Sequence, residues 1–371
     1  MRIIFTGGGT AGHVYPLLSI VRELKKNYPF AGFEFWYLGP KDKFVKNVLS
    51  FEGIKVKTVL SGKYRRYFSF KNIIDILKLP VGIIQAFYYV FVFSPDLIFS
   101  KGGYGSIPTI LAGWFLQTPV FLHESDIVPG LANRIGSKFA VEIFISFSIK
   151  ETEYFPAKKM LSVGNPIRTE LLNGSGEEAK RVFSLTGEKP IVLIMGGSQG
   201  AQRVNDKILS VLPEMLNDFE VIHQTGEKNF KQVQEESKVI LTENTRRYYH
   251  PVPFMDAKNL SHAYKIADLI ISRAGSGSIF EIAAAAKPCI LVPLEGSAQD
   301  HQVRNAYAMS QRGATLVIEE PNFRPHFVLE RIKFLFANPA KMKDLGQRAK
   351  EFSRPYAAKV ISEYLMAYLS Q

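Results

Sequence analysis

The sequence predicts an α/β protein built from two doubly wound, Rossmann-like domains. Short apolar runs rich in Val, Ile and Phe alternate with longer amphipathic stretches, the pattern of a parallel sheet with helices between its strands. A strand entering a glycine-rich turn before a helix occurs at RIIFTGGGTAGH and again at IVLIMGGSQGAQ, so the pattern restarts midway. The length of 371 residues also exceeds what one hydrophobic core ordinarily serves.

In chain order, strands are expected from Ile3 to Thr6, stopped by Gly7, and from Phe33 to Leu38, stopped by Gly39 and Pro40. Leu97 to Ser100 runs into KGGYG, Val120 to His123 follows Pro119, and Ile143 to Ser146 closes the first set. The segment SVGNPIRTE, with Gly164 and Pro166 at a composition break, reads as a hinge. Ile191 to Met195 opens the second set after Pro190, followed by Glu220 to Gln224, Leu269 to Ser272, and Cys289 to Val292 between two prolines. A final helix is expected from about Pro355 to Leu369. This divides the chain into residues 1–163, 164–350 and a C-terminal helix within 351–371, with ligand expected in a crevice at the strands' carboxyl ends.

Apolar residues make up 46% and charged residues 22%, a balance that excludes a disordered chain. The single cysteine, Cys289 in PCILVP, rules out an intrachain disulfide and reads as a small buried apolar group. MRIIFTGGGT lacks the apolar stretch and cleavage site of a secretory signal, so a cytoplasmic location is expected. A net charge of +12 favours anionic partners. Without a zinc knuckle, RNP-type aromatic motif or helix-turn-helix signature, nucleic acid is disfavoured among them.

Residues 73–93 are the most apolar stretch, but Asp75, Lys78, Pro80 and Gln85 interrupt the roughly 20-residue run a membrane span needs. Just upstream, Lys63, Arg65, Arg66 and Lys71 interleave with Tyr64, Tyr67, Phe68 and Phe70. That composition suits a surface meeting anionic headgroups; the alternative is a buried helix with a solvated basic approach.

Gly7, Gly9 and Gly12 fit the GxGxxG spacing that lets backbone N–H groups approach a phosphate. FEFWYL is followed by Gly39 and Pro40 instead of an acidic ribose ligand, which disfavours a nicotinamide or flavin enzyme. Pro16 suits a first helical turn, placing His13 at a helix N-terminus whose dipole favours neutral imidazole; a base and a cap are both open readings. SKGGYGSIP after DLIFS and GGSQGAQR after IVLIM add two more anion-type loops, so the ligands are expected to carry phosphates. In SRAGSGSIFEIAAAAKP, Ser278 to Glu281 reads as a capping box, or Glu281 accepts from two ribose hydroxyls with Arg273 nearby.

Four ordered motifs, GGGTAGHVYP, SKGGYGSIP with HESDIVPGLANR, GGSQGAQRVN, and SRAGSGSIFEIAAAAKP continuing into QDHQVRNA, resemble the MurG family along nearly the whole chain. The resemblance implies the GT-B fold, two Rossmann-like domains facing across a cleft, with acceptor and membrane surface on the first domain. It places the UDP-sugar mainly on the second and returns the last helix to the first. It implies an inverting hexosyltransferase that moves N-acetylglucosamine from UDP-N-acetylglucosamine to the 4-hydroxyl of the muramyl sugar of lipid I, giving lipid II. The location implied is the cytoplasmic face of the cell membrane, held peripherally.

Carried over by motif, Ser198 and Gln199, Arg168, Arg273, Glu281, Gln302 and Asn305 are expected to meet the donor, Glu281 at the ribose and Gln302 and Asn305 at the sugar. Thr10 and His13 match acceptor-side positions and, with Ala11 and Gly12, also stand among the expected UDP-N-acetylglucosamine contacts. Tyr104, His123, Glu124 and Asn133 match acceptor positions, and His13 is the candidate catalytic base. Ala11 stands where the family usually has glycine, Ser125 and Asp126 replace Gln and Asn of many members, and His301 replaces the first of a glutamine pair. No metal or other cofactor is expected: there is no Asp-x-Asp pair, and the histidines are not spaced as ligands. A UDP-sugar epimerase and a lipid-binding module are the readings from other classes.

Overall fold

The computed structural model describes residues 1–62, 70–148, 154–196 and 201–370. Its chain forms two units, residues 1–167 with 355–371, and residues 168–354. In the first unit the strands are β1 (Arg2–Thr6), β2 (Glu34–Gly39), β3 (Lys55–Thr58), β4 (Leu97–Ser100), β5 (Val120–Glu124), β6 (Glu142–Ile145) and β7 (Met160–Ser162). They form one parallel sheet in the order β3-β2-β1-β4-β5-β6-β7. The order reverses between β1 and β4, so the loops leaving these two strands part to opposite faces and leave a crevice at their carboxyl ends.

Alternation along each strand splits the core. Ile3 and Phe5 join one buried cluster, while Ile4 joins another with Leu38, Ile98, Leu122 and Ile143. The C-terminal helix Ala357–Leu369 seals the first cluster with Ala358, Ile361 and Leu365 against the helix Ala11–Asn27. Tyr364 and Tyr368 lie edge-on to Phe144 and Phe121, and the Tyr364 hydroxyl donates to Glu142 at 3.0 Å.

The second unit holds β8 (Ile191–Met195), β9 (Glu220–Gln224), β10 (Tyr249–Val252), β11 (Leu269–Ser272), β12 (Cys289–Leu291) and β13 (Leu316–Val317). Its parallel order is β10-β9-β8-β11-β12-β13, reversing between β8 and β11. Every residue of IVLIM in β8 is buried, as a strand covered by helices on both faces requires. Cys289 is buried with its thiol against Thr315.

Three expectations are corrected. The helix Ala11–Asn27 begins before Pro16, which is its sixth residue and not in the first turn. The helix Phe70–Phe93 is not a buried one: Leu77, Val81, Ile84, Tyr88 and Phe91, spaced three or four apart, form one exposed stripe, with Ile84 69% and Phe91 66% accessible. Ala86 and Val90 supply its buried side. The basic residues Lys63, Arg65 and Arg66, with Tyr64, Tyr67 and Phe68, lie outside the described residues, as do the side chains of Phe70 and Lys71. No helix among the described residues is long and apolar enough to cross a membrane. Third, Glu281 lies in the second turn of the helix Ser276–Ala284, whose N-cap is Gly275, and not in a capping box.

Candidate active site

In the first unit the loops leaving β1, β2, β4 and β5 converge. The β1 loop carries Gly7 to Thr10 into the helix Ala11–Asn27, whose first N–H groups lack intrahelical partners and form the anion-type terminus expected at Thr10, Ala11 and Gly12. Tyr37, buried in β2, donates its hydroxyl to the carbonyls of Gly7 and Gly8 at 3.0 and 3.2 Å and so fixes the loop from below. The β4 loop presses against it: a Cβ on Gly103 would sit 2.9 Å from the Gly8 nitrogen and 3.0 Å from His13 Nε2, and Gly103 has φ +83°. Only glycine meets both demands.

His13 stands where these two loops touch. Its Nδ1 lies 2.7 Å from Thr10 Oγ1, which leaves Nε2 toward Gly103. Burial, then the charge of Lys101, pushes its pKa down to about 4, against an upward pull from Asp126. The imidazole is therefore neutral near pH 7, for reasons of burial and a neighbouring cation that spacing alone did not reveal. Tyr104, half-buried, has its hydroxyl pKa raised by burial and by Asp42 and Asp75.

The β5 residues are more enclosed than the sequence reading implied. His123 is fully buried, its Nε2 3.1 Å from the Gly164 carbonyl and its pKa well below normal through burial and Lys101. It supports the strand end from inside instead of presenting a face to ligand. Glu124 accepts from the Asp126 and Gly130 nitrogens at 3.0 and 3.2 Å and from Asn133 Nδ2 at 2.8 Å. Asn133 also donates to the His123 carbonyl at 3.2 Å, so this pair shapes the 125–130 loop. Burial, then Asp126, raises the Glu124 pKa to about 7. Lys101, which the sequence reading left out of the site, is 3% exposed beneath the same loops.

In the second unit, Ser198 and Gln199 lie outside the described residues. The capping-box reading of Ser278 and Glu281 is overturned: the helix is Ser276–Ala284 with Gly275 at its N-cap, so Glu281 falls in the second turn. Its carboxylate instead accepts a two-pronged bond from Arg168, Nε to Oε1 at 3.1 Å and Nη2 to Oε2 at 3.2 Å. Tyr264, fully buried, lies beside the same group, and burial and the carboxylate raise its hydroxyl pKa. Burial raises the Glu281 pKa and Arg168 opposes that rise. The remaining lone pairs of the carboxylate leave it capacity for hydroxyl donors.

Arg273 turns inward, paired with Glu320 at 2.6 Å and near the Val292 and Pro293 carbonyls, so it braces the ends of β11 and β12. Gln302 accepts from the Leu294 nitrogen at 3.0 Å, folding over the loop after β12, and Asn305 is fully buried. In that loop Gln299 and Asp300 have φ of 60° and 52°, two successive left-handed residues without glycine's freedom. Such strain, on the order of 1–3 kcal/mol each, persists where surroundings hold it and concentrates at ligand sites. Among the described residues, no three His, Cys, Asp or Glu side chains cluster as metal ligands.

Two doubly wound units, each with glycine-rich loops at the carboxyl ends of its central strands, are the fold of GT-B-type proteins. The crystal structure of a UDP-GlcNAc 2-epimerase from Neisseria meningitidis shares this fold at a TM-score of 0.70 and 15% identity over 99% of this chain and 100% of that one, so the fold alone does not fix the reaction. The family models narrow it: the glycosyltransferase family 28 N-terminal domain matches residues 3–145 and its C-terminal domain residues 191–361. The chain belongs to the MurG family. It is 36% identical to the UDP-N-acetylglucosamine--N-acetylmuramyl-(pentapeptide) pyrophosphoryl-undecaprenol N-acetylglucosamine transferase of Clostridium tetani, covering 92% of this chain and 91% of that protein. It is 34% identical to transferase 2 of the same name from Bacillus cereus, covering 92% and 93%. The crystal structure of Acinetobacter baumannii MurG superposes with a TM-score of 0.75 over 99% of both chains at 23% identity, a likeness of fold.

Proposed function

We propose that this protein transfers N-acetylglucosamine from UDP-N-acetylglucosamine to the 4-hydroxyl of a lipid-linked muramyl-pentapeptide diphosphate, with inversion and without a metal ion or other cofactor. The observation that carries this reading is kinship over more than nine-tenths of the chain with transferases named for that reaction. The site's chemistry supports it. The first two glycine loops offer backbone N–H groups to the acceptor diphosphate, and Tyr104 stands in the second of them. Glu281, oriented by Arg168, accepts from the donor ribose, while Ser198, Gln199 and Gln302 serve the diphosphate and sugar, and Asn305, fully buried, supports the loop after β12 from within.

His13 acts as the base. With Nδ1–H donated to Thr10 Oγ1, the Nε2 lone pair accepts the 4-hydroxyl proton as the oxygen attacks the anomeric carbon and UDP departs. Loop N–H groups and helix N-termini hold the charge that develops on UDP. Glu124 has the pKa nearer 7, but three donors already occupy its two oxygens, which suits a loop former better than a base.

The protein works peripherally at the cytoplasmic membrane face. The exposed stripe from Leu77 to Phe91, with exposed Trp114 and Phe115 on the neighbouring helix Ile107–Phe115, meets the bilayer, and the basic segment 63–71 meets anionic headgroups. Nucleic acid is not a partner. The reading is tested by a coupled UDP-release assay over a panel of UDP-sugars, with excess chelator, with and without the lipid-linked acceptor. Release confined to UDP-N-acetylglucosamine plus acceptor is expected; loss of activity on chelation would remove the metal-free mechanism.

A further inference from the structure

His223 has no part in the assignments above, yet it is fully buried near the carboxyl end of β9, in contact through Asn205 with the helix Gln202–Leu209 that ends the GGSQGAQR motif. A carbonyl only accepts, so the Asn205 atom 3.0 Å from the Thr225 carbonyl is its amide nitrogen Nδ2. Asn205 Oδ1 is then the atom facing His223 Nε2 at 3.1 Å, and Nε2 must carry a proton to bond it. Burial pushes the His223 pKa down to about 3, so the ring is neutral near pH 7 and its Nδ1 is a bare acceptor. The Tyr249 hydroxyl, 2.9 Å away, donates to it. From Tyr249 through His223 and Asn205 to Thr225, every bond of the chain therefore runs in one direction.

This chain ties the helix to the loop leaving β9. The Thr225 carbonyl also accepts from Asn229 Nδ2 at 3.2 Å, in the first turn of the helix Glu227–Ile240, and the Gly196 nitrogen donates to the Gln224 carbonyl at 3.3 Å. Arg203 and Lys207, two residues from Asn205 on either side, occupy the opposite face of the helix Gln202–Leu209. There Arg203 Nη1 meets Glu320 Oε1 at 3.2 Å and Lys207 Nζ donates to the Glu320 carbonyl at 2.8 Å, while Glu320 also holds Arg273 at 2.6 Å. The helix is thus braced on both faces. We propose that His223 is a positioning residue for the donor: held in its Nε2–H form between Tyr249 and Asn205, it locks the helix to β9 and fixes the N-terminal turn that meets the UDP diphosphate. It acts through Asn205 and not on the substrate. This rests on the reading of the GGSQGAQR motif as a donor site.

The test compares full-length wild type with His223→Gln, whose amide nitrogen takes the place of Nε2 and still donates to Asn205, and His223→Leu, which leaves Asn205 Oδ1 without a donor. His223→Leu should raise the UDP-N-acetylglucosamine KM and the calorimetric UDP Kd about tenfold, with acceptor KM and kcat within about twofold of wild type. His223→Gln should keep both donor constants within about threefold of wild type. Donor constants unchanged in a folded His223→Leu protein, whatever its melting temperature, overturn the proposal; equal rises in the two variants put the effect on ring volume and overturn it too. Ser198→Ala separates the underlying reading. Unchanged donor constants there remove the motif from the donor site and the proposal with it, whereas a rise there beside none in His223→Leu overturns the positioning role alone. If His223→Leu does not fold, NMR of ¹⁵N-histidine-labelled wild type, assigned with His223→Gln, decides. The His223 ring should be neutral with its proton on Nε2, and its Nε2 signal should shift on saturation with UDP. A proton on Nδ1, or a signal indifferent to UDP, overturns the proposal.

Discussion

Replacing Glu281 with Gln takes one charge out of a buried ion pair and leaves its partner in place. The Arg168 and Glu281 side chains are 10% and 12% exposed. Gln keeps one acceptor for Arg168 but turns an amide NH₂ toward the other guanidinium N–H, where two donors meet. Removing one partner of a buried pair costs about 3–5 kcal/mol, and the surviving acceptor puts this case near the lower end. In a unit of this size that corresponds to roughly 6–12 °C in melting temperature. A helix cap would have predicted almost no change, because Gln also serves a capping box. UDP affinity should fall as well, by about 1.5–3 kcal/mol for a lost charged hydrogen bond. The assays are thermal unfolding and calorimetric UDP titration, with Arg168→Gln/Glu281→Gln beside the single variant. The double variant should regain much of the stability but not the affinity. A Glu281→Gln protein that melts and binds UDP as wild type does would refute the reasoning.

The exposed stripe predicts that Ile84→Glu/Phe91→Glu loses about tenfold or more in binding to anionic vesicles by sedimentation, since each buried apolar side chain is worth about 1.5–3 kcal/mol. UDP binding should not change, and equal vesicle binding by both proteins would remove this face as the docking surface. Acid should destabilise the fold in a direction set by its histidines. His13 and His223 have pKa values of about 4 and about 3 against 6.5, so the unfolded chain takes up protons first. Their contribution is full above pH 6.5 and is lost as pH falls toward those values. Glu124 runs oppositely: with its carboxyl raised to about 7 from 4.5, its contribution is lost as pH rises through that window. Denaturant unfolding between about pH 5 and pH 7 should show a shallower acid loss in His223→Gln than in wild type; identical slopes would contradict this.

The fold class was legible because central strands are buried on both faces and therefore read as continuous apolar runs; LIFS and IVLIM begin and end where the sequence placed them. The four strands missed, β3, β7, β10 and β13, are the edge strands of the two sheets. KVKT in β3 is polar and largely exposed, and β13 has two residues, so neither carries an apolar run. In the candidate site, glycine loops showed through spacing, because close backbone approach demands glycine wherever it occurs. Partners distant in sequence did not show: Arg168 and Glu281 are 113 residues apart, and local spacing favoured Ser278 as Glu281's partner. Lys101 was hidden differently. A lysine beside glycines reads as solvated surface until the fold buries it under Ser125.

The central claim is tested most directly by the product. Full-length protein is incubated with UDP-N-acetylglucosamine and a lipid-linked muramyl-pentapeptide diphosphate, and the lipid fraction is analysed by mass spectrometry and by NMR of the new anomeric proton. The account predicts a lipid carrying one added N-acetylhexosamine, β-linked to the muramyl 4-oxygen, with UDP released in equal amount. An unmodified lipid alongside consumed UDP-N-acetylglucosamine, or an α-linked product, would contradict it.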